Sequence, residues 1–146
     1  MMRVEGGCSL ARVIVLVVAC FLPLACNRSG SPDNVYPVRG EVFFKGQPAT
    51  GAAVHFHPLE GEECTAAFAI VKDDGSFEMS TFGNNDGAEP GNYAVTINWR
   101  KEERVDDEVV TSPDRLGERY SKADTSGLKV TVTEGKNVVP RYDLKD

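Results

Sequence analysis

The feature that most constrains this chain is an alternation of apolar and polar side chains that starts at Val35 and runs almost to the C-terminus. Successive side chains of a β-strand point to opposite faces, so an apolar residue at every second position predicts a strand with one buried face. The clearest run is Tyr93, Val95, Ile97 and Trp99. Because no stretch after Val35 repeats convincingly with a helical period, the alternation predicts an all-β domain.

Turn-forming residues divide the alternation into about seven strands, expected at residues 38–44, 52–56, 68–70, 77–81, 93–99, 128–132 and 138–144. The Asp73-Asp74-Gly75 turn predicts a hairpin between the third and fourth strands, since glycine tolerates a positive φ. A chain of 146 residues is long enough for one domain but hardly for two. These strands predict a seven-stranded Greek-key β-sandwich, prealbumin-like or immunoglobulin-like, over residues 35–146.

The segment 100–127 interrupts this rhythm of strands. It is highly charged, contains Val109-Val110 and has Pro113 within it. A segment this long between strands is usually functional, disordered or the location of short secondary structure. It is therefore the part of the domain in which we would look for a binding site.

The N-terminus has the pattern of a targeting segment. Arg3 and Arg12 form a positive region, and the almost wholly apolar stretch 13–24 follows. This stretch has the length of a signal-peptide core but is too short to span a bilayer, which needs about 20 apolar residues. We therefore predict a cleaved signal peptide.

The cleavage site is indicated by Leu24-Ala25-Cys26, where the apolar stretch gives way to polar residues. This motif resembles the lipobox of bacterial lipoproteins, which implies that the Cys26 thiol is acylated and that residues 1–25 are a lipoprotein signal peptide. Pro23 stands where that family usually has leucine, and Cys20 fits the local pattern better. Cleavage at Cys20 would leave an apolar mature end, so we favour Cys26 and keep Cys20 as the alternative.

Acylation would hold the protein on a membrane. A single acyl chain holds only marginally, whereas the two or three chains of a processed lipoprotein cysteine hold durably. Residues 26–34 are rich in Ser, Gly, Pro and Asn and predict a flexible tether. The expected location is the cell envelope, on the extracytoplasmic side of a membrane and facing the periplasm or the cell surface. The sequence does not distinguish the inner from the outer membrane.

The charge balance argues against nucleic acid as a partner. The chain has 16 Lys and Arg against 22 Asp and Glu, for a net charge of −6, and losing Arg3, Arg12 and Glu5 with the signal peptide leaves −7. Phosphate binding needs clustered Lys and Arg, and no such cluster is visible. After cleavage Cys64 is the one cysteine left besides Cys26, so no intramolecular disulfide is expected.

Several short motifs, in this order and spacing, together resemble one domain family, the carboxypeptidase regulatory-like or transthyretin-like domains. They are Val38-x-Gly40-x-Val42, Gly46-x-Pro48, Gly51-Ala52-x-Val54-x-Phe56-x-Pro58, Asp74-Gly75-x-Phe77 and Pro90-Gly91-x-Tyr93-x-Val95. The C-terminal motifs resemble the end of small lipoproteins from planctomycete-type bacteria. These are Tyr120-Ser121, Ser126-Gly127-Leu128, Val130-x-Val132 and Gly135-x-Asn137. The resemblance implies a prealbumin-like sandwich and no activity, because a fold does not define a function.

His55 and His57 are weak candidates for metal binding. On a strand, residues two apart share a face, so the two imidazoles would lie together. A zinc site needs three or four ligands, and the nearest others in sequence are the carboxylates Glu60, Glu62 and Glu63. Val54 and Phe56 would face the core, so we expect two solvent-facing histidines, and no metal or cofactor.

Two acidic segments are open to more than one interpretation. Residues 84–87 with Glu89 are rich in oxygen ligands and would suit calcium, but the spacing is not that of an EF-hand and a turn is the simpler interpretation. The carboxylates at 102–103 and 106–108 lie among Arg and Lys and favour a solvated surface over acid–base catalysis. No serine or glycine-rich motif of a known catalytic type is present.

The sequence therefore predicts a non-enzymatic, membrane-anchored, extracytoplasmic lipoprotein. Its β-sandwich would serve protein-partner binding or envelope structure. The alternative is a solute-binding module, for carbohydrate or calcium, that uses residues 100–127. The sequence indicates neither the ligand-binding residues nor the oligomeric state.

Overall fold

The structure is a computed structural model that describes residues 32–105 and 108–145. The predicted signal peptide 1–25, both candidate acylation sites Cys20 and Cys26, and most of the predicted tether 26–34 lie outside these residues. Asp106 and Asp107 of the acidic segment lie outside them as well. The last residues of the tether, Pro32–Asn34, form one 3-10 turn.

Strands make up most of the regular secondary structure of the described residues, with a single short α-helix, α1, at Ala123–Ser126. The strands are β1 (Val38–Phe44), β2 (Gln47–Pro48), β3 (Ala53–Pro58), β4 (Ala67–Ile70), β5 (Ser76–Glu78), β6 (Gly91–Asn98), β7 (Glu102–Val105), β8 (Glu108–Thr111), β9 (Leu128–Val132), β10 (Asn137–Val138) and β11 (Tyr142–Leu144). None of the described helices is long and apolar enough to cross a membrane.

Two sheets form the body of the domain. In the first, β1 is central and pairs antiparallel with β2 and β5, and parallel with β10 and β11. The second is antiparallel, in the order β4-β3-β6-β9. A separate two-stranded ribbon is formed by β7 and β8.

The two sheets enclose one hydrophobic core. Phe56 of β3 and Tyr93 of β6 are fully buried, with ring centroids 5.6 Å apart. From the other sheet, Phe77 of β5 stacks on Tyr142 of β11 at 6.4 Å. Each large apolar side chain buried in this way stabilises the fold by about 1.5–3 kcal/mol. The arrangement is a β-sandwich, as the alternation predicts.

Gly40 in β1 lies where two other side chains come very close to the strand. A Cβ at Gly40 would collide with the side chains of Val139 and Phe77. Gly40 therefore lets the segment after β10 and the Phe77 ring pack directly against β1, which is the central strand of its sheet.

Each of the seven segments predicted as strands overlaps a strand, although β5 ends at Glu78, three residues before the end of the predicted segment 77–81. The structure adds β2 and the β7–β8 ribbon, and the predicted strand 138–144 is divided into β10 and β11 around Pro140. Proline has no N–H to donate to a ladder, which accounts for this break. The Greek-key connectivity stays a prediction.

The predicted hairpin after the third strand is only half right. The tight turn exists, with Gly75 at φ 87° and its N–H bonded to the Lys72 carbonyl. However, β5 pairs with β1 in the opposite sheet, and the chain rejoins β4 only at the Phe68–Ser80 bridge. The physical reason is the core, because β5 buries Phe77 beneath β1.

Candidate functional site

Residues 100–127 form a structured excursion from the sandwich and not a single long loop. The excursion leaves β6 at Trp99, runs out and back as the β7–β8 ribbon, and returns to the sandwich. Its base is closed by backbone hydrogen bonds, from Ser112 N–H to the Lys101 carbonyl (2.8 Å) and from Arg115 N–H to the Trp99 carbonyl (3.0 Å). Of the three alternatives for this segment, the structure shows short secondary structure, namely β7, β8 and α1.

Asp114 fixes the return of the chain. Its Oδ1 accepts hydrogen bonds from the backbone N–H groups of Trp99 (3.1 Å) and Leu116 (2.9 Å), and its Oδ2 lies 3.7 Å from Arg100 Nε. The Asp114 side chain is almost fully buried. These contacts give the carboxylate a structural role at the base of the ribbon, since a buried charge is tolerated when it is paired and hydrogen-bonded.

The β7–β8 ribbon is exposed on both faces. In its register Arg104 faces Val109, and Val105 faces Glu108. All four residues of β8 are exposed, and Val105, Val109 and Val110 rank among the exposed large apolar residues of the described chain. Of the acidic segment, Glu102 and Glu108 are thus exposed to solvent, and both lie in strands.

Two surface pockets lie at the base of this ribbon, and Gly51 and Arg100 line both of them. The smaller one has a volume of about 230 Å³ and is lined by Thr50, Gly51, Trp99, Arg100, Lys101 and Arg115. The larger one has a volume of about 580 Å³. Besides the two shared residues it is lined by Ala53, Ile70, Asn98, Glu102 and Thr111.

Trp99 forms the aromatic part of the smaller pocket. Its Nε1 donates a hydrogen bond to the Thr50 carbonyl (2.9 Å). The rings of Trp99 and Phe44 make a T-shaped contact, with their centroids 6.0 Å apart. The Arg115 guanidinium lies 4.9 Å from the ring centroid, in a cation–π contact. The sequence suggests that Trp99, like Tyr93, is a core residue; Tyr93 is fully buried, but Trp99 lies past the end of β6 and is only partly buried.

The two histidines lie together on the outer face of β3, as the strand period predicts. Their rings stack at 6.1 Å, and His57 Nε2 is 2.9 Å from Thr96 Oγ1. Burial, and then the neighbouring His57, lower the pKa of His55. Within residues 32–105 and 108–145, no group of three or more His, Cys, Asp or Glu is placed to hold a metal ion.

The oxygen-rich segment 84–87 forms a turn. The Asp86 carboxylate accepts backbone N–H bonds from Thr81, Phe82 and Gly83 at 2.7–2.9 Å, and Asn85 has a φ of 55°. Burial acts to raise the pKa of Asp86, but the N–H bonds outweigh it and hold the pKa below its usual value. The Asp86 carboxylate thus stabilises a turn, which is the simpler of the two interpretations given for residues 84–87, calcium binding being the other.

Glu89 and Cys64 lie beside Tyr93, at the edge of the core. Glu89 is buried and its Oε2 accepts the Thr65 N–H at 2.7 Å. Burial raises the pKa of the Cys64 thiol. A raised pKa keeps the thiol neutral, and a neutral thiol is a poor nucleophile. Cys64 is therefore better explained as a small packing residue than as a catalytic one.

A surface groove, of about 560 Å³, lies on the outer face of the first sheet. Arg39 and Lys72 both pair with Glu78, at 2.9 and 2.6 Å, and all three residues line the groove. Glu78 therefore offsets only one of these two positive charges.

The site draws on part of the 100–127 segment and also on residues outside it that the sequence did not indicate. Its lining comes from Thr50 and Gly51 before β3 and from Ile70 of β4, as well as from the 99–115 region. The sequence signal nearest to this site is the basic Arg100-Lys101 pair directly after Trp99, and mixed charges of this kind are typical of a solvated surface.

No protein-family model matches this chain, and no curated protein sequence matches it. Solved structures show distant similarity in fold. They include a 9R-lipoxygenase from Cyanothece PCC8801, with a TM-score of 0.42 and 9% identity over 81% of this chain. A candidate carbohydrate-binding protein from Pseudomonas aeruginosa has a TM-score of 0.41 and 11% identity over 77% of this chain. A DUF3823 family protein from Parabacteroides merdae ATCC 43184 has a TM-score of 0.37 and 14% identity over 75%.

The shares of the other chains differ widely. The matched region covers 17% of the lipoxygenase, 89% of the Pseudomonas protein and 44% of the Parabacteroides protein. This chain thus spans only a small part of the lipoxygenase.

Proposed function

We propose that this protein is a non-enzymatic lipoprotein of the cell envelope, anchored in a membrane by acyl chains on Cys26. Its carboxypeptidase regulatory-like, Greek-key sandwich would be a binding module that faces the extracytoplasmic space. The β7–β8 ribbon would contact a protein partner.

The observation that carries the binding proposal is the ribbon with two exposed faces. A two-stranded hairpin on its own is marginally stable at best in water. Here Val109 is 55% exposed, and Val105 and Val110 are about half exposed. Exposed apolar side chains on a projecting element are typical of surfaces that a partner covers. Val105 and Val110 lie on one face of the ribbon and Val109 lies on the other, so a partner on either face would bury exposed valine and stabilise the two strands.

Two features support a module without catalysis. The buried Asp114 is bonded to backbone N–H groups and paired with Arg100, and Cys64 carries a neutral thiol. Neither group is thus poised as a general base or a nucleophile.

The anchor is tested by mass spectrometry of the mature N-terminus. We expect an acylated Cys26 in the wild type, and in Cys26→Ala we expect loss of the lipid and a shift from the membrane to the soluble fraction. Cys20→Ala is the matched control and should behave as the wild type. An unmodified N-terminus at another residue would show that the protein is secreted without an anchor.

The binding role of the ribbon is tested by photo-crosslinking in intact cells. A photoreactive residue at Val109 should give one discrete protein adduct. The control is the same replacement at Val138, which lies on β10 of the first sheet and is 83% exposed. This position should give no adduct. Identical adducts from both positions, or no adduct from Val109, would contradict a partner at the ribbon.

A further inference from the structure

The outer edge of β8 is open to a further strand. Among the described strands, β7 and β8 pair only with each other. Hydrogen-bonded and non-hydrogen-bonded positions alternate along an antiparallel pair. Because the Ser112 N–H bonds to the Lys101 carbonyl across the ribbon, the backbone N–H and C=O groups of Val109 and Thr111 point away from β7 in the same register. These groups form the outer edge of β8.

The composition of β8 suits pairing at this edge. Val109, Val110 and Thr111 are β-branched, and such residues are enriched in strands. Edge strands are commonly protected from pairing by charged side chains or by proline. Three of the four residues of β7 are charged, whereas β8 has one charged residue, Glu108, at its start. The edge of β8 is therefore the one that favours a partner strand.

A second copy of this chain fits the edge of β8 in one register. Antiparallel pairing about a twofold axis at Val110 places Val109 of each copy opposite Thr111 of the other. Every outward N–H group of the two edges then donates a hydrogen bond to a carbonyl of the other copy. The two Val110 side chains meet at the axis, and Glu108 lies opposite Ser112 of the second copy. No like charges therefore face each other across the two β8 strands.

The paired ribbons would form one sheet of four strands. A hairpin needs at least a third strand and an apolar face to be stable on its own, and the second copy supplies both. Val110, which is 49% exposed, would be covered on one face of the sheet, and Val109, which is 55% exposed, on the other. So short a contact is at the weak end of protein interfaces. Anchoring of all copies on one membrane would raise their effective concentration and favour the pair.

We propose that the protein partner of the ribbon is a second copy of this chain, whose β8 pairs with the outer edge of β8 about a twofold axis at Val110. The inference rests on the proposed function, in which the ribbon contacts a protein, and it names that protein. The second copy is favoured over an unrelated strand because the edge of β8 is complementary to itself in backbone hydrogen bonds, in apolar side chains and in the absence of opposed like charges.

Disulfide trapping in intact cells under mild oxidation tests the register. Val110→Cys should give a disulfide-linked dimer, because the Cα atoms of a non-hydrogen-bonded pair lie about 4.5 Å apart and a disulfide spans roughly 4.4–6.8 Å. The matched control is Val105→Cys, which lies on the same face of the ribbon but on β7, and is 52% exposed in the wild type. The two β7 strands would lie about 14 Å apart, three strand spacings, so this variant should give little dimer.

The wild type controls for Cys64, which is a free cysteine, and should give little dimer as well. Trapping of Val105→Cys or of the wild type as readily as Val110→Cys would overturn the proposal, and so would no trapping of Val110→Cys.

Photo-crosslinking at Val109 separates this inference from the proposed function. An adduct of twice the mass of the mature chain would support both. An adduct with a different protein alone would overturn the second copy and leave the ribbon as a contact surface, whereas no adduct would contradict both.

A charge at the twofold axis provides an independent test. Adding Val110→Lys to the photoreactive chain should reduce the dimer adduct about tenfold or more, since like charges opposed across an interface are strongly unfavourable. Val138→Lys makes the same charge change on β10, at a position that is 83% exposed, and should leave the adduct unchanged. A dimer adduct that survives Val110→Lys would overturn the proposed register.

Discussion

At the residue scale, two acidic side chains of this protein accept hydrogen bonds from backbone N–H groups. Asp86 receives three N–H groups in the turn after β5, and Asp114 receives two at the base of the ribbon. Turn and loop backbone lacks the partners that a strand ladder supplies, and a carboxylate can accept several N–H bonds at once. Both residues are therefore structural, and for Asp86 the structure shows the turn that was the simpler interpretation of residues 84–87.

His55 should make the stability of the protein depend on pH. Its pKa is lowered in the folded state, so the unfolded chain binds more protons as the pH falls from 7.5 to 5.5. The free energy of unfolding should fall over this range, by less than about 1 kcal/mol because the ring is half-exposed and solvent screens it. Denaturant titrations of the wild type and of His55→Gln measure the effect. An equal pH dependence in the two proteins would show that His55 is not its source.

At the element scale, the ribbon and the sheets differ in what holds them. The strands β3 and β6 pair over six positions and bury one face against the opposite sheet. The ribbon pairs over four positions, and its described side chains are exposed. The ribbon is therefore attached to the sandwich mainly through its base, at Trp99 and Asp114.

Replacing residues 102–111 by Asn-Gly should leave the sandwich intact. The exposed strands contribute little buried area, so we expect the free energy of unfolding to change by no more than about 0.5 kcal/mol. Denaturant unfolding of the variant and of the wild type checks this. Burying one large side chain contributes about 2 kcal/mol. If the free energy of unfolding fell by that much or more, the ribbon would have to pack on the sandwich.

At the scale of the whole molecule, stability depends on the layer between the sheets. Cys64 is a free cysteine, so in the described chain packing holds the two sheets together without a disulfide. Phe56, Tyr93 and Phe77 carry much of this packing. The outer faces of both sheets, in contrast, carry charged, histidine and scattered apolar side chains.

Phe56 and Phe68 provide a matched pair to test this arrangement. They lie on neighbouring strands, but Phe56 is 0% exposed and Phe68 is 50% exposed. Phe56→Ala should cost about 3–5 kcal/mol of unfolding free energy through the cavity it creates. Phe68→Ala should cost less than about 1 kcal/mol. Equal losses in the two variants would contradict a core located between the sheets.

The positions of the strands were available from the sequence, because burial on one face forces a period of two. The alternation located all seven main strands, and Asp74-Gly75 located a real turn. The pairing of β5 was not predictable in this way. Turn chemistry is local, whereas the choice of β1 over β4 as the partner of β5 depends on burying Phe77 beneath a distant strand.

For the candidate site, too, the sequence determined one part and the tertiary structure decided the other. The sequence by itself determined that this is a β protein, and that residues 100–127 depart from the strand rhythm. Only the tertiary structure brought Thr50 against Trp99, 49 positions later in the chain, and set Arg115 over the same ring. A surface pocket is made by side chains whose backbones lie far apart in sequence, and no local pattern records how the sheets place them.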